Sequence, residues 1–347
     1  MTADTVTNVP ASAPAAADAK AQPAYPHTNG WAIVARKEMA DHLHSARIVV
    51  LFFILGAATL IPLYFASDTI KSVAGQLTDT RGAFLALFLA SSQDYPIPNV
   101  ITFVAIVAPL LGIGFAFDSI NGERSDGTLP RLLSQPIYRD DVVNGKFVAG
   151  LAVITVVLVS VVGIIAGFGI VRLGIVPGVD EVIRLLLWLA VTILWVGLWL
   201  AFGLLLSVRI RRAANAALVG FGVWALVAIF GQLIVGVVAS VIAPWATAAT
   251  LEQAVALKAL SDGILRVLPL TLYQEASAVL MRPDLTTVST PATISQLGQL
   301  EAQVQGQFLS FDQSLLLIWP HIVALVALMA VCFAAAYIWF MRQEVRA

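Results

Sequence analysis

"FDSINGERSDGTLPRLLSQPIYRDDVVNGKF", residues 117–147, is the most polar stretch in the first half of the chain. It lies between two long apolar runs, about 98–118 and about 147–171. A helix needs about 20 apolar residues to cross a bilayer. Both flanking runs reach that length, so the stretch reads as a water-exposed connection between two membrane spans. Four further runs of the same kind lie at about 47–66, 184–208, 214–243 and 314–341. The fold class expected is therefore an all-α integral membrane protein with six transmembrane helices. Pro109 is expected to kink the second span. Residues 83–90, "AFLALFLA", are too short to span and read as a re-entrant or surface helix.

Composition supports the same reading. Of the 347 residues, 59% are hydrophobic and 12% charged, and mean hydropathy is +0.88. A soluble domain carries roughly 25% charged residues, so this chain lacks the polar surface to face water all round. The formal net charge of −1 gives no basic balance pointing to nucleic acid. Cys332 is the one cysteine, which excludes an internal disulfide. Residues 1–29 are rich in Ala, Pro, Ser and Thr and have no apolar core of a signal peptide. They read as a disordered cytoplasmic tail.

Six spans place both termini on one side, and Lys and Arg choose which. Arg36, Lys37, Arg47, Arg124, Arg131, Arg139, Lys146, Arg209, Arg211, Arg212, Arg342 and Arg346 fall on one side, close to span ends. Lys71, Arg81, Arg172, Arg184, Lys258, Arg266 and Arg282 are spread over longer loops on the other. Both termini and the 119–146 loop are therefore expected in the cytoplasm, in the plasma or inner membrane. "RIRRA" at 209–213 is the strongest anchor and reads as a topology signal. Gly163 and Gly167 on the third span, and Gly197, Ala201 and Gly203 on the fourth, are expected to let helices approach closely. Polar groups within the spans are few: Asn215, Gln232 and His321. Of these, His321 and Gln232 are candidates for lining a substrate path.

Gly122 and Gly127 have the spacing of a phosphate-binding loop, but Thr128 and Leu129 follow where Lys and Ser or Thr would reach phosphate and magnesium. The chain is not expected to hydrolyse ATP or to hold a cofactor. The loop reads instead as a contact surface. Gly122 and Gly127 permit turns. "TLPRLLS" can form a short helix with Thr128 at its N-cap and Pro130 in its first turn. Leu129, Leu132 and Leu133 would give that helix an apolar face to plug into a groove on a soluble partner, with Arg139 and Lys146 at headgroup level.

The same run resembles the signature of type-2 ABC exporter permeases, most narrowly those of nitrous-oxide-reductase maturation transporters and their relatives. Glu123, Arg124, Gly127, Thr128, Leu129, Leu133, Ser134, Pro136, Arg139, Gly145 and Lys146 occupy the positions of that signature. The resemblance extends over about residues 31–347. It includes an N-terminal interfacial elbow of the "ARKE" type in "WAIVARKEMADHLHSAR", whose apolar stripe Trp31, Ala35, Met39 and Leu43 is interrupted by Glu38 and His42. The resemblance implies a separate cytoplasmic ABC ATPase subunit, a second permease copy, and a coupling helix in the 119–146 segment that carries ATPase motion into the spans. Glu123 and Arg124 would fix the loop's geometry and hold the docking contact, and the elbow would sit against the ATPase or the coupling helix.

Residues 244–313 form a long external segment with helical spacing on both sides of the turn-rich "RPDLTTVSTPAT" at 282–293. It reads as a cap that packs on itself, with docking of an extracytoplasmic partner as the functional alternative. No His, Cys and Met cluster outside the membrane suggests a metal relay. An ATP-independent secondary transporter would show inverted repeats and charged, broken spans, which are lacking. An intramembrane enzyme would show a catalytic motif in the spans, and none is present. A membrane anchor of a larger complex remains the alternative that needs the same docking helix.

Overall fold

The computed structural model describes residues 30–74, 83–89, 98–135, 137–282 and 310–343. The expected N-terminal tail, Pro136, and residues 283–309 of the external segment lie outside these. Thirteen residues after its start, the first helix α1 (Gly30–Leu43) hands over to α2 (Ala46–Ala74) through a short turn. There follow α3 (Ala83–Leu89), α4 (Val100–Val107), α5 (Pro109–Ala116), α6 (Asn121–Ser125), α7 (Leu129–Leu133) and α8 (Arg139–Phe168). The chain continues through α9 (Val179–Arg209), α10 (Ala213–Ala225), α11 (Gln232–Ile242), α12 (Leu251–Leu265), α13 (Pro269–Met281) and α14 (Phe311–Arg342). Among the described residues there is no strand. Six helical stretches are long and apolar enough to cross a membrane: Ala46–Ser67, Val100–Ser125, Arg139–Arg172, Val179–Arg209, Ala213–Ile242 and Phe311–Arg342. They coincide with the six runs read from the sequence.

The second span breaks where Pro109 demands it, between α4 and α5. A proline cannot donate to the carbonyl four residues back, so the Ala105 carbonyl loses its helical partner. Trp195 of α9 replaces it, donating from Nε1 to Ala105 O at 3.0 Å. Trp224 does the same for Ile106 O at 2.8 Å. In an apolar medium a freed carbonyl must find such a donor. The kink is thus also a joint that fixes the fourth and fifth spans against the second.

The fourth span, α9, is the most deeply buried and packs against α5, α8, α13 and α14. It crosses α5 at backbone contact: a β-carbon on Gly112 would lie 2.6 Å from Val196 O, and one on Gly203 2.9 Å from Ala116 Cβ. Gly197 meets Met329 of α14 in the same way. The small residues of the fourth span therefore do what their pattern suggests. The Gly163–Gly167 pair of the third span forms no such crossing among the described residues, where no atom lies within 4 Å of a β-carbon placed on either glycine. The first, fifth and sixth spans likewise turn wide apolar faces outward among the described residues.

Two further expectations change. Of the re-entrant and surface alternatives for residues 83–90, the surface one does not hold for 83–89: Phe84, Leu85, Leu87 and Phe88 are fully buried, and Glu181 accepts from the Phe84 amide at 3.0 Å. The segment after the fifth span does not pack only on itself. Helix α13 is inserted into the bundle against α4, α9 and α14. Trp188 donates to Ser277 at 3.2 Å, Thr192 shares a hydrogen bond with the Tyr273 hydroxyl at 2.9 Å, and Tyr273 stacks on Trp195 at 5.4 Å. The capping reading does not hold for α13, which reads as amphipathic in sequence, whereas its Tyr273, Glu275 and Ser277 side chains find polar partners inside the bundle.

Candidate functional site: the platform at the termini-bearing end

The polar chemistry of the 117–147 stretch is gathered at the end of the bundle where α1 lies and α14 finishes. Asn121 begins α6, and the Ile120 and Asn121 amides both donate to Ser207 Oγ of α9, at 2.9 and 3.2 Å. That serine supplies the acceptor that the open N-terminus of a helix needs. The Asn121 side chain donates to Ile210 O at 3.1 Å. Gly127 then turns the chain in the left-handed region, with φ of 69°, where a β-carbon is strained. Gly122 makes no turn and sits inside α6. Thr128 stands at the N-cap position of α7, but its hydroxyl donates back to Glu123 O at 3.2 Å instead of accepting from the helix.

At the centre lies Lys146, whose side chain is only 3% exposed. Its Nζ donates to Glu123 Oε1 at 2.8 Å and lies 3.0 Å from Glu38 Oε1 on α1. Lys37 reaches the same Glu38 oxygen at 3.1 Å. Burial pushes the Glu38 carboxyl up, but Lys146 and then Lys37 outweigh it and hold it below its ordinary value. An ammonium between two carboxylates joins three elements that are far apart in sequence. Gly145 permits this: a β-carbon there would lie 2.6 Å from Val34 Cβ and 2.7 Å from Trp31 O. The Gly-Lys pair thus brings α1 against α8 and then bonds it. Asp141 completes the joint by accepting from the Trp31 amide at 2.9 Å and the Tyr138 amide at 3.2 Å, so one carboxylate serves two helix N-termini.

This geometry shifts the docked face of α1 by one residue position from the expected stripe, whose Met39 still packs on the core. Gly30, Val34 and Glu38 are buried, and His42 lies edge-on to Phe115 at 5.2 Å. The Trp31 and Leu43 end positions of the apolar stripe are exposed. The residues that seemed to interrupt the stripe are the ones that dock, because Lys146 neutralises Glu38.

A second junction forms at Gln343, just past α14. Arg124 donates from Nη2 to Gln343 Oε1, and Arg139 donates from Nη1 to Gln343 O at 3.0 Å. The Gln343 amide nitrogen donates to Val208 O at 2.8 Å. Arg47 grips Asp118 with two bonds, of 2.8 and 2.5 Å, tying α2 to the end of α5. The loop is therefore bound to α1, α8, α9 and the end of the sixth span together.

Of the residues singled out in the sequence, Glu123, Arg124 and Arg139 point into these junctions. Leu129 is buried in the protein's own core and Leu132 packs against that core, so the apolar face of α7 is used internally. The Leu133 side chain lies outside the described residues. What α7 and its flanks present outward is polar: Ser125, Asp126, Thr128, Pro130, Arg131, Ser134, Gln135 and Tyr138 are exposed. Asn121, Asp141, Ser207 and Gln343 were singled out by no motif, and only their contacts reveal them; Glu38 belongs to the "ARKE" run, but its bond to Lys146 was not legible there. His321 is buried and bonds Glu275 at 2.6 Å, and Gln232 is exposed and bonds Gln274. Both are held by α13. An apolar niche of about 140 Å³ between α9 and α14, lined by Leu187, Val191, Leu194, Leu315, Ile318 and Ile322, offers no polar group to select a ligand.

A polytopic helical protein with a loop-and-helix platform welded to its span ends is the class this fold defines. The ABC-2 family transporter protein pattern matches residues 32–345, and the chain belongs to that family. It is similar to the probable ABC transporter permease protein NosY of Stutzerimonas stutzeri, 28% identical over 210 residues that make up 58% of this chain and 67% of the relative. It is also similar to the protein of the same name from Pseudomonas aeruginosa, 27% identical over 201 residues, 56% of this chain and 65% of the relative. The chain spans about two thirds of the length of each.

Proposed function

We propose that this chain is the transmembrane permease subunit of an ATP-binding cassette transporter, with residues 30–347 as one permease domain. A separate cytoplasmic ATPase subunit binds and hydrolyses ATP, and this chain, which has no ATPase site of its own, couples that cycle to movement of cargo across the plasma or inner membrane. The observation that carries this reading is Lys146 bonded between Glu38 and Glu123. In a member of this family, that bond makes the elbow α1, the 119–146 loop and the third span one body. A push on α7 is then a push on the spans, a rigid-body switch biased by nucleotide. Glu123 and Arg124 act by holding the loop's shape, and the exposed residues of α7 and its flanks meet the ATPase.

The crowding of Lys and Arg near the span ends at this side supports a cytoplasmic location for both termini. The Gly163–Gly167 groove and the outward apolar faces of the first, fifth and sixth spans support pairing with a second permease copy. Export is the direction its family resemblance supports. The exposed helix α12, beside the inserted α13, is the surface suited to an extracytoplasmic partner.

The test is purification of the tagged chain from its native membrane in mild detergent, with co-purifying proteins identified by mass spectrometry. A stoichiometric subunit carrying Walker motifs is expected. A chain that comes down alone as a stable oligomer would move the reading to an independent carrier or an anchor.

A further inference from the structure

A group of cations beside Gln343 has neutral partners only. Arg124 and Arg139 are half-buried and converge on this one neutral residue. Arg211 follows Ile210, whose carbonyl is held by Asn121, and it lies close enough to Arg124 to repel it. Arg131 is exposed on α7, and Arg212 is exposed beside Arg211. Among the described residues, none of these five forms an ion pair; the nearby carboxylates Asp126 and Asp140 pair with none of them. On the same platform Arg47 is matched by Asp118 and Lys146 by two glutamates. Neutral acceptors orient a guanidinium but leave its charge in place. Like charges held together repel, and a carboxylate surface closing on them removes that cost while making charge-assisted, bidentate bonds.

We infer that Arg124 and Arg139, which converge on Gln343, together with Arg211 beside Arg124, form an electropositive seat for an acidic patch on the cytoplasmic ATPase subunit, beside the polar face of α7. This rests on the permease reading above. A protein partner is favoured over lipid headgroups by position. The cluster is built where α6, α8, α14 and the turn after α9 meet, next to the exposed polar face of α7 that carries Arg131 and that the permease reading gives to the ATPase. Arg211 is the best probe, since it is exposed and makes no hydrogen bond to a described residue, so its replacement leaves the junctions intact.

The experiment uses the complex isolated with its own ATPase subunit. Retention of that subunit is measured from about 50 mM to about 500 mM salt, a range over which screening of exposed charges becomes strong. The wild type is expected to hold the ATPase at low salt and shed it as salt rises. Arg211→Glu is expected to lower retention about tenfold or more at low salt, and Arg211→Gln to a smaller degree. Arg211→Lys is expected to keep it, as is Arg172→Glu at the other end of the third span. Monodisperse gel filtration of each variant confirms folding. Stoichiometric ATPase whose retention ignores both salt and Arg211→Glu would overturn the inference and leave the permease reading standing. Loss of bound anionic phospholipid from Arg211→Glu with unchanged ATPase retention would overturn it in favour of lipid. Absence of any ATPase from the wild type would defeat both.

Discussion

The two ends of the bundle use buried charge in opposite ways. At the termini-bearing end, Lys146, Glu38 and Glu123 join loops and helix ends into one body. At the far end, Arg184 is fully buried, pairs with Asp180 at 2.8 Å and donates to Ser314 at 3.1 Å, while Glu275 of α13 meets His321 at 2.6 Å and Arg266 at 2.8 Å. The first set connects segments that apolar packing alone would leave separate. The second seats a single helix, α13, that already has a large apolar contact through Tyr273, Ala276, Val279 and Leu280. The difference teaches where a polar network is indispensable and where it mainly selects orientation.

The comparison breaks most sharply at Lys146. Removing one partner of a buried ionic group leaves the others uncompensated, at a cost of about 3–5 kcal/mol. Lys146→Met leaves two carboxylates facing each other, so a large fall in thermal stability in detergent is expected, with rapid proteolysis of α1. Unchanged protection of α1 would show that the Gly145 contact suffices. Next in size is Glu275→Gln. It keeps the shape of the far-side contact and removes the charge, so a loss of about 1–3 kcal/mol is expected, read as a smaller fall in the same thermal assay. A loss equal to that of Lys146→Met would erase the distinction between the two ends.

A similar contrast separates the glycines. Gly112→Ala drives a methyl into the α9 backbone and is expected to cost about 1–3 kcal/mol, whereas Gly163→Ala should leave the isolated chain's melting temperature unchanged. If the Gly163–Gly167 groove meets a second copy, that same variant lowers the dimer fraction in detergent, measured by light scattering.

The smallest effect concerns pH. Burial holds the His42 imidazole below its ordinary value, with Glu38 and Asp118 opposing and Lys146 and Arg47 assisting. Undocked α1 therefore binds more protons than docked α1 once pH falls to about 6.5 and below, the range where an unperturbed histidine titrates. Docking is strongest above that range and weakens as pH falls through it. Hydrogen exchange of the α1 amides is expected to quicken modestly between about pH 7.5 and 5.5. His42→Gln should flatten that dependence. The depressed Glu38 carboxyl acts in the same direction at lower pH, its contribution fading as pH drops through its lowered value.

Much of this was legible in the sequence because it depends on local composition. The six spans follow from run length and hydropathy. The break at Pro109 follows from its missing N–H, and the left-handed turn at Gly127 from its missing β-carbon. The loop at 117–147 was legible as the seat of polar chemistry, and Glu123, Gly145 and Lys146 as members of a pattern. What escaped was pairing. The apolar stripe of α1 predicted its docked face only in part, because the cost of burying Glu38 beside Met39 is offset by a lysine more than a hundred residues away. Leu129 and Leu132 looked like a surface for a partner, yet the protein's own core takes them. His321 looked like a lone polar group in a span, yet Glu275 was waiting on a segment read as external.

The amino-acid sequence by itself determined that this chain crosses a membrane six times, where its helices begin and bend, and which connection carries charge. Those properties come from the transfer of side chains into lipid and from the backbone limits of Pro and Gly, which act over a few residues. Only the tertiary structure decided which charges neutralise one another, which small residues form crossings, and that α13 lies within the bundle. Those outcomes turn on distances of a few ångströms between residues far apart in the chain, where a buried charge is tolerated or forbidden by what stands beside it.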